Sequence, residues 1–263
     1  MSEPTVAEIQ SAISFQNDKP IWDFTQTAAY PVELQQGSNK PTVYIYLSPY
    51  KSDELRDILK RAVSGYRREK QDVEIVREDK GIYTPLFDNH FVKMGNSTGT
   101  PEAQKMWFDK YPELKPAIIE YSFGYLRMEP PKSAEENDDI LDISAELSGQ
   151  VAVYQELYDA VTDKVVRIDM VHSHIHPTEA QYREYRSARR SKFIRRTTLW
   201  TISEQHAVLE KLYDVVVQSI TGAAVNGKSC NAATKADWIT SVPLWHKLWV
   251  VDQIFGELVE KNA

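Results

Sequence analysis

A pattern that occurs twice constrains this chain more than anything else in it. Residues 100–128 read TPEAQKMWFDKYPELKPAIIEYSFGYLRM, and residues 234–259 read TKADWITSVPLWHKLWVVDQIFGELV. In the first, Leu114, Ile118, Tyr121, Tyr125 and Met128 fall at steps of four, three, four and three, the repeat of one helix face. Leu244, Leu248, Val251, Phe255 and Leu258 repeat those steps, each 130 residues later. Trp107 pairs with Trp238, and Pro112 with Pro243, one residue further apart. A chain that carries one closing helix twice is expected to fold as α+β with two similar units. Each would be a small β-hairpin or sheet followed by a set of amphipathic helices.

The length suits this division, because each half of the 263 residues can bury a core of its own. Residues 1–29 read as a polar N-terminal arm with scattered Ile13, Phe15, Ile21, Trp22 and Phe24. The first unit spans 30–128. Residues 129–150 read as an acidic, proline-containing linker, since EPPKSAEENDDILD stops a helix and is well solvated. The second unit spans 151–263.

Within the first unit, YPVEL and TVYIYL flank a turn, and Val43, Ile45 and Leu47 share one strand face. Ser52-Asp53-Glu54 opens a helix with Leu55, Ile58, Leu59 and Ala62 on its apolar stripe. Residues 64–82, rich in charge, read as a loop or exposed hairpin. A helix is expected over Pro85–Met94, then a break at GNSTGTP, then a helix capped by Thr100 with Pro101 at its first position. In the second unit a hairpin, Val151–Ile175, turns near Thr162-Asp163. A helix follows from Pro177-Thr178-Glu179 to about Arg196, and another over Leu199–Ile220 with Ile202, Leu209, Tyr213, Val216 and Ile220 inward. TGAAVNGKS is expected to break it. Leu86-Phe87-Asp88 and Leu212-Tyr213-Asp214 hold matching places.

Several function classes are disfavoured by composition. A net charge of −7 argues against nucleic acid as partner of the whole surface. Cys230 is the only cysteine, so there is no intrachain disulfide and no cysteine-rich zinc site. No run approaches 18 apolar residues, so no membrane-spanning helix is expected. The opening MSEPTVAEIQ lacks the basic and apolar regions of a signal peptide, which makes the cytoplasm the expected compartment.

Two stretches could carry chemistry. The first is VHSHIHP, in which His172, His174 and His176 would line one strand face. Imidazoles two apart can share a zinc ion, but the first and third lie roughly 13 Å apart on a straight strand, so one metal needs a bend at Pro177. The H-x-H-P string resembles the metal motif of JAMM-type deubiquitinating peptidases. Tyr185 and Ala188 stand where that family has serine and aspartate. A metal-dependent hydrolase is the alternative reading, set against histidines that merely close a hairpin. The second is YREYRSARRSKFIRR, with seven basic residues against Glu184. Tyr182, Tyr185, Arg189 and Phe193 would form one stripe of a helix. Arg183, Arg186, Arg190, Lys192, Arg195 and Arg196 add the charge. Aromatics among arginines suit RNA or single-stranded DNA, but equally a protein hot spot, and the acidic whole favours protein.

The remaining candidates read as structural. His206 falls on an apolar stripe, and His90 and His246 are treated alike. Cys230, in a polar loop, has neither base nor orienting group beside it in sequence. Gly222 and Gly227 match a phosphate loop only in the closing Gly-Lys-Ser. No catalytic residue, cofactor or metal is assigned.

IYLSPYKSDELRDILKRA, TPLFDNHFVKM and TGTPEAQKMWFDKYPELKPAIIE together are similar to tail assembly chaperones of long-tailed bacteriophages. The resemblance covers about a hundred residues of the first half. It implies a non-enzymatic protein that binds the tape-measure protein or other tail components in the host cytoplasm. Two copies in one chain also fit a component retained in the virion, such as a baseplate protein, and are compatible with a homo-oligomer.

Overall fold

The computed structural model describes residues 12–34, 40–69, 72–78, 80–123, 127–128, 148–189, 191–193, 199–202 and 206–260. Two strands come first, β1 (Ile13–Gln16) and β2 (Lys19–Asp23). A hairpin of β3 (Ala28–Glu33) and β4 (Thr42–Leu47) leads to helix α1 (Ser52–Ala62) and a second hairpin, β5 (Val63–Glu69) and β6 (Asp72–Glu78). Helix α2 (Thr84–His90), strand β7 (Phe91–Gly95) and helices α3 (Pro101–Lys110) and α4 (Leu114–Phe123) complete this part, with a short β8 (Arg127–Met128) behind them. The later part has hairpin β9 (Ser148–Asp159) and β10 (Lys164–Ile175), helix α5 (Glu179–Ala188), and strands β11 (Ser191–Phe193) and β12 (Leu199–Ile202). It continues with helix α6 (His206–Val216), strands β13 (Val217–Val225) and β14 (Lys228–Cys230), and helices α7 (Lys235–Trp238) and α8 (Leu244–Glu260).

The fold is α+β. The order hairpin, helix, hairpin, helix, strand, short helix, closing helix occurs twice. Sheet order repeats too. β7 returns beside β4 in a sheet ordered β3-β4-β7, and β13 returns beside β10 within β1-β2-β13-β10-β9-β8, where β14 pairs with β13. The two parts nevertheless share strands, since the third sheet runs β11-β12-β5-β6 and β8 lies on β9. The described part of the expected arm belongs to the sheet: β2 runs parallel to β13 with Trp22 opposite Ala223. Residues 129–147 of the expected linker lie outside the described residues.

A buried carboxylate pins that arm. Asp23 accepts hydrogen bonds from the backbone N–H of Thr25 (2.9 Å) and Asn226 (3.3 Å) with one oxygen, and from Gly227 (2.7 Å) with the other. Asn226 and Gly227 have φ of 51° and 73°, the left-handed pair that a two-residue hairpin turn requires. The expected break at TGAAVNGKS is therefore a strand and its turn. Gly222 (φ 81°) lies against β10 so closely that a Cβ would stand 2.1 Å from the Asp169 carbonyl oxygen.

The alternation in TVYIYL works as expected. Val43, Ile45 and Leu47 are buried opposite Val32, Tyr30 and Ala28, and Tyr44 on the other face stacks on Tyr158 at 3.6 Å. Thr100 caps α3, its hydroxyl accepting from the Ala103 N–H at 3.3 Å. Other expected helices are divided. Pro85–Met94 gives a helix to His90 and then a strand. Residues 64–82, expected as a loop or exposed hairpin, hold the hairpin of β5 and β6. Leu199–Ile220 yields strand β12, helix α6 and the first four residues of strand β13. Its β-branched run, Val215-Val216-Val217, favours extended backbone once a neighbouring strand is present.

Of the expected stripe on α8, Leu244, Val251 and Phe255 are buried and Leu248 is partly buried, whereas on α4 the buried face is shifted from the expected one. On α4 the buried positions are Lys115, Pro116, Ile118, Ile119 and Ser122, while Tyr121 is 41% exposed. On α8, Lys247, Val250, Val251 and Ile254 are buried. Lys115, Ile118, Ile119 and Ser122 thus correspond to residues 132, not 130, positions on. The correspondence includes an ion pair. Lys115 Nζ is 2.7 Å from Asp88 of α2, and Lys247 Nζ is 2.7 Å from Asp214 of α6. Each ammonium also lies over the neighbouring ring, Phe87 at 5.9 Å and Tyr213 at 5.7 Å.

Candidate functional site

The basic segment begins as a well-formed helix. Thr178 caps α5 by accepting from the Gln181 N–H, while the Gln181 side chain accepts from the Thr178 N–H at 2.7 Å, a reciprocal capping box. Glu179 in the first turn opposes the helix dipole. The helix ends at Ala188, eight residues before the expected end at Arg196, and Ser191–Phe193 is already strand. Lys192 therefore lies on β11, and Arg190, Arg195 and Arg196 lie outside the described residues.

The inner face of α5 is committed to α8. Tyr185 stacks on Phe255 at 5.1 Å, and Tyr182 meets the same ring edge-on at 5.2 Å. Tyr185 donates its O–H to Asp252 at 3.0 Å, and Arg189 pairs with the other oxygen of that carboxylate. Burial, then the Asp252 charge, pushes the Tyr185 phenol up to about 12, so it stays a donor. Tyr182, Tyr185 and Arg189 are thus structural anchors, not free contact residues. Asp252 lies 63 residues beyond Arg189, and no local pattern links the two.

Arg183 and Arg186 face outward. Their side chains are 76% and 58% exposed, and both reach back to Glu179, at 3.1 and 3.5 Å. Glu184 approaches Lys211 of α6 at 3.7 Å. Of the expected docking residues with described side chains, these two arginines remain available. They stand on a helix whose other face is held rigidly.

The three histidines of β10 and its end do not converge. His172 is fully buried and forms a hydrogen-bonded chain, Nδ1 with Tyr213 Oη at 2.9 Å and Nε2 with His246 Nε2 at 3.0 Å. Burial holds the His172 imidazole well below its usual range, helped by the His246 charge, and drops His246 to about 3. Both are therefore neutral at pH 7, and one donates to the other. His174 lies over Gly149, where a Cβ would come within 2.7 Å of its ring. His176 is exposed beside Tyr182. Pro177 supplies no bend that gathers them, and among the described residues no three His, Cys, Asp or Glu side chains are placed to hold a metal.

The other candidates are accounted for by packing. Cys230 is buried at the end of β14, not in an open loop, and burial followed by the Asp23 charge raises its thiol to about 12. A thiol with so little thiolate is a poor nucleophile. His90 bridges Ser48 (3.0 Å) and Glu54 (2.8 Å), tying α2 to α1. His206 is buried at the start of α6. Among the described residues no helix is long and apolar enough to cross a membrane.

No protein-family model, no curated protein and no solved structure matches this chain.

Proposed function

We propose that this protein is a non-enzymatic bacteriophage tail assembly protein, acting in the host cytoplasm by docking tape-measure or baseplate components. The observation that carries the reading is the division of α5 into two faces. Tyr182, Tyr185 and Arg189 fix the helix to α8, while Arg183 and Arg186 project outward. Exposed ion pairs contribute roughly 0–1 kcal/mol to folding, so two arginines on a rigid helix serve the fold little. They suit an acidic protein surface, and arginine is common at interface hot spots. The similarity of the first half to tail assembly chaperones supplies the partner class. The twofold order of elements supports an origin by duplication.

Arg183→Glu with Arg186→Glu tests the reading. The double variant should fold normally, yet lose co-purification with the tape-measure protein of the same virus when the two are co-expressed. Undiminished co-purification removes α5 as the docking face. Salt-tolerant binding of single-stranded DNA by the wild type, lost in the variant, replaces the protein partner with nucleic acid.

A further inference from the structure

A cavity of about 450 Å³ opens where three connections of the chain meet, and no residue of α5 lines it. The connections are residues 24–27 between β2 and β3, 48–51 between β4 and α1, and 239–243 before α8. Its inner wall is aromatic: Trp22, Phe24, Tyr30 and Trp245 are each at most 7% exposed. Exposed Lys51 and half-buried Ser52 stand at its mouth. Small-molecule sites commonly measure roughly 300–1,000 Å³ and combine apolar walls with a few placed polar groups.

Three of the hydroxyls along the wall already have partners. Ser48 Oγ is 3.0 Å from His90 Nδ1, Tyr50 Oη is 2.7 Å from Ser122 Oγ, and Thr25 donates its hydroxyl to Asp23 at 2.6 Å. Tyr30 differs. It is 4% exposed, yet its hydroxyl makes no hydrogen bond with any described residue. Its oxygen is not one of the polar atoms sealed from solvent, so at a side chain this buried it opens to the cavity that the ring lines. A hydroxyl set deep in a wall without a protein partner gives up hydration for no return, unless something bound there answers it.

The charge of the lining is one-sided. The chain carries 38 acidic side chains, but among the described residues none lines the cavity, and Lys51 is the only charged residue that does. Its ammonium has no ion-pair partner among the described residues. Glu54, in the first turn of α1, is held by Asn89 and His90 at 2.8 Å each. The Lys51 carbonyl accepts the first helical bond of α1, from Leu55 at 3.0 Å, so the backbone N–H of Ser52 points out of the helix end without an intrahelical acceptor. An ammonium and the N-terminus of an 11-residue helix at one mouth favour an anion. They disfavour the cation that an aromatic wall alone would also suit.

We propose that this cavity binds a small aromatic carboxylate. The ring lies against Trp22, Phe24 and Trp245, the carboxylate meets Lys51 and the Ser52 N–H, and a second polar atom meets the Tyr30 hydroxyl. Aromatic rings prefer offset or edge-on contact, as Trp22 and Phe24 already show with centroids 4.9 Å apart. A bound molecule ties the start of α8 to β3 and α1, so it also raises the melting temperature. The site shares no residue with α5, and its test is separate from that of the docking role.

The test titrates para-hydroxyphenylacetate into the isotope-labelled full chain and follows the indole N–H signals of its six tryptophans by NMR. Saturable shifts are expected for Trp22 and Trp245, which line the cavity, and none for Trp107 on α3. Tyramine has the same ring and hydroxyl but an ammonium in place of the carboxylate, and should not bind. Lys51→Glu, at an exposed position, should weaken binding at least about tenfold. Tyr30→Phe, which keeps the ring and removes only the unpartnered hydroxyl, should weaken it about threefold or more. Melting curves without the acid establish that both variants stay folded. The proposal fails if no shift saturates up to about 20 mM, if tyramine binds equally well, or if either variant binds as the wild type does. It also fails if a decapeptide ending in tyrosine binds more than about tenfold tighter than the acid, because the cavity then captures the end of another chain.

Discussion

Lys247 meets Asp214 at 2.7 Å with its side chain wholly withdrawn from solvent, and Lys115 meets Asp88 at the same distance in the corresponding place. Each pair joins a closing helix to the helix before the returning strand. The Lys247 pair extends further: Glu210 lies 3.4 Å from the ammonium and 2.6 Å from Arg56 of α1. That network links α1, from the first part of the chain, to α6 and α8. Around Lys115, burial works against the charge, but the hydrogen bonds its ammonium donates to Asp109 and Asp88 outweigh it and raise the amine above its ordinary value.

Removing one member of such a pair leaves a charge without a partner. Lys247→Met is therefore expected to destabilise by about 3–5 kcal/mol, and Lys247→Met with Asp214→Leu by clearly less. Urea denaturation of both variants measures this. Equal losses would show that packing of the lysine stem, not the charge, matters at the site.

Stability should fall as acid is added, starting near neutrality. His172 and His246 are held neutral by burial, far below the imidazole value of 6.5. Unfolded chains protonate both near pH 6.5, while the native state does not. Their contribution is thus complete above that pH and is lost as pH falls toward about 3, by about 1.4 kcal/mol per pH unit for each histidine. His246→Gln should remove about half of this slope between pH 6 and pH 4. An unchanged slope in that variant would contradict the burial of the pair.

Phe255→Ala should cost about 3–5 kcal/mol, because the ring is fully buried and carries both tyrosines of α5. Leu248 is only partly buried and packs at the margin of the core, so Leu248→Ala should cost about half as much or less. Thermal melts of the two proteins give the comparison. A larger loss at Leu248 would place that side chain deeper in the core than Phe255.

Gly222→Ala combines a left-handed backbone angle with a close approach to the Asp169 carbonyl. It should destabilise by more than about 1 kcal/mol. Gly227→Ala, also at positive φ but with open space around it, should lose less. The order of the two melting points is the readout.

Features set by near neighbours were legible in the sequence. The Thr100 cap, the alternation of TVYIYL and the turn at Asp163 (φ 54°) each depend on a few adjacent residues. What escaped depends on partners far along the chain. The charged stretch VSGYRRE to DVEIVRE allowed a hairpin or a loop, and the pairing of β5 with β12, far along the chain, is what no local pattern shows. The closing helices were recognised, but their stripes were placed by apolar residues. Lys115 and Lys247 occupy buried positions because of aspartates on other helices, which a hydrophobic pattern cannot register. In the candidate site, Asp252 escaped for the same reason, and α5 stops early where the chain turns to strand.

The clasp between Asp23 and the Gly227 amide spans 204 residues of chain. A ribosome adding about 5–20 residues per second exposes Trp22 and Phe24 roughly 10–40 s before β13 and its turn exist to cover them. Those two aromatics, 3% exposed at the end, spend that interval without β13 and its turn over them. A strand made early thus finds its place late, so β2 of a nascent chain depends on what shelters Trp22 and Phe24 during synthesis.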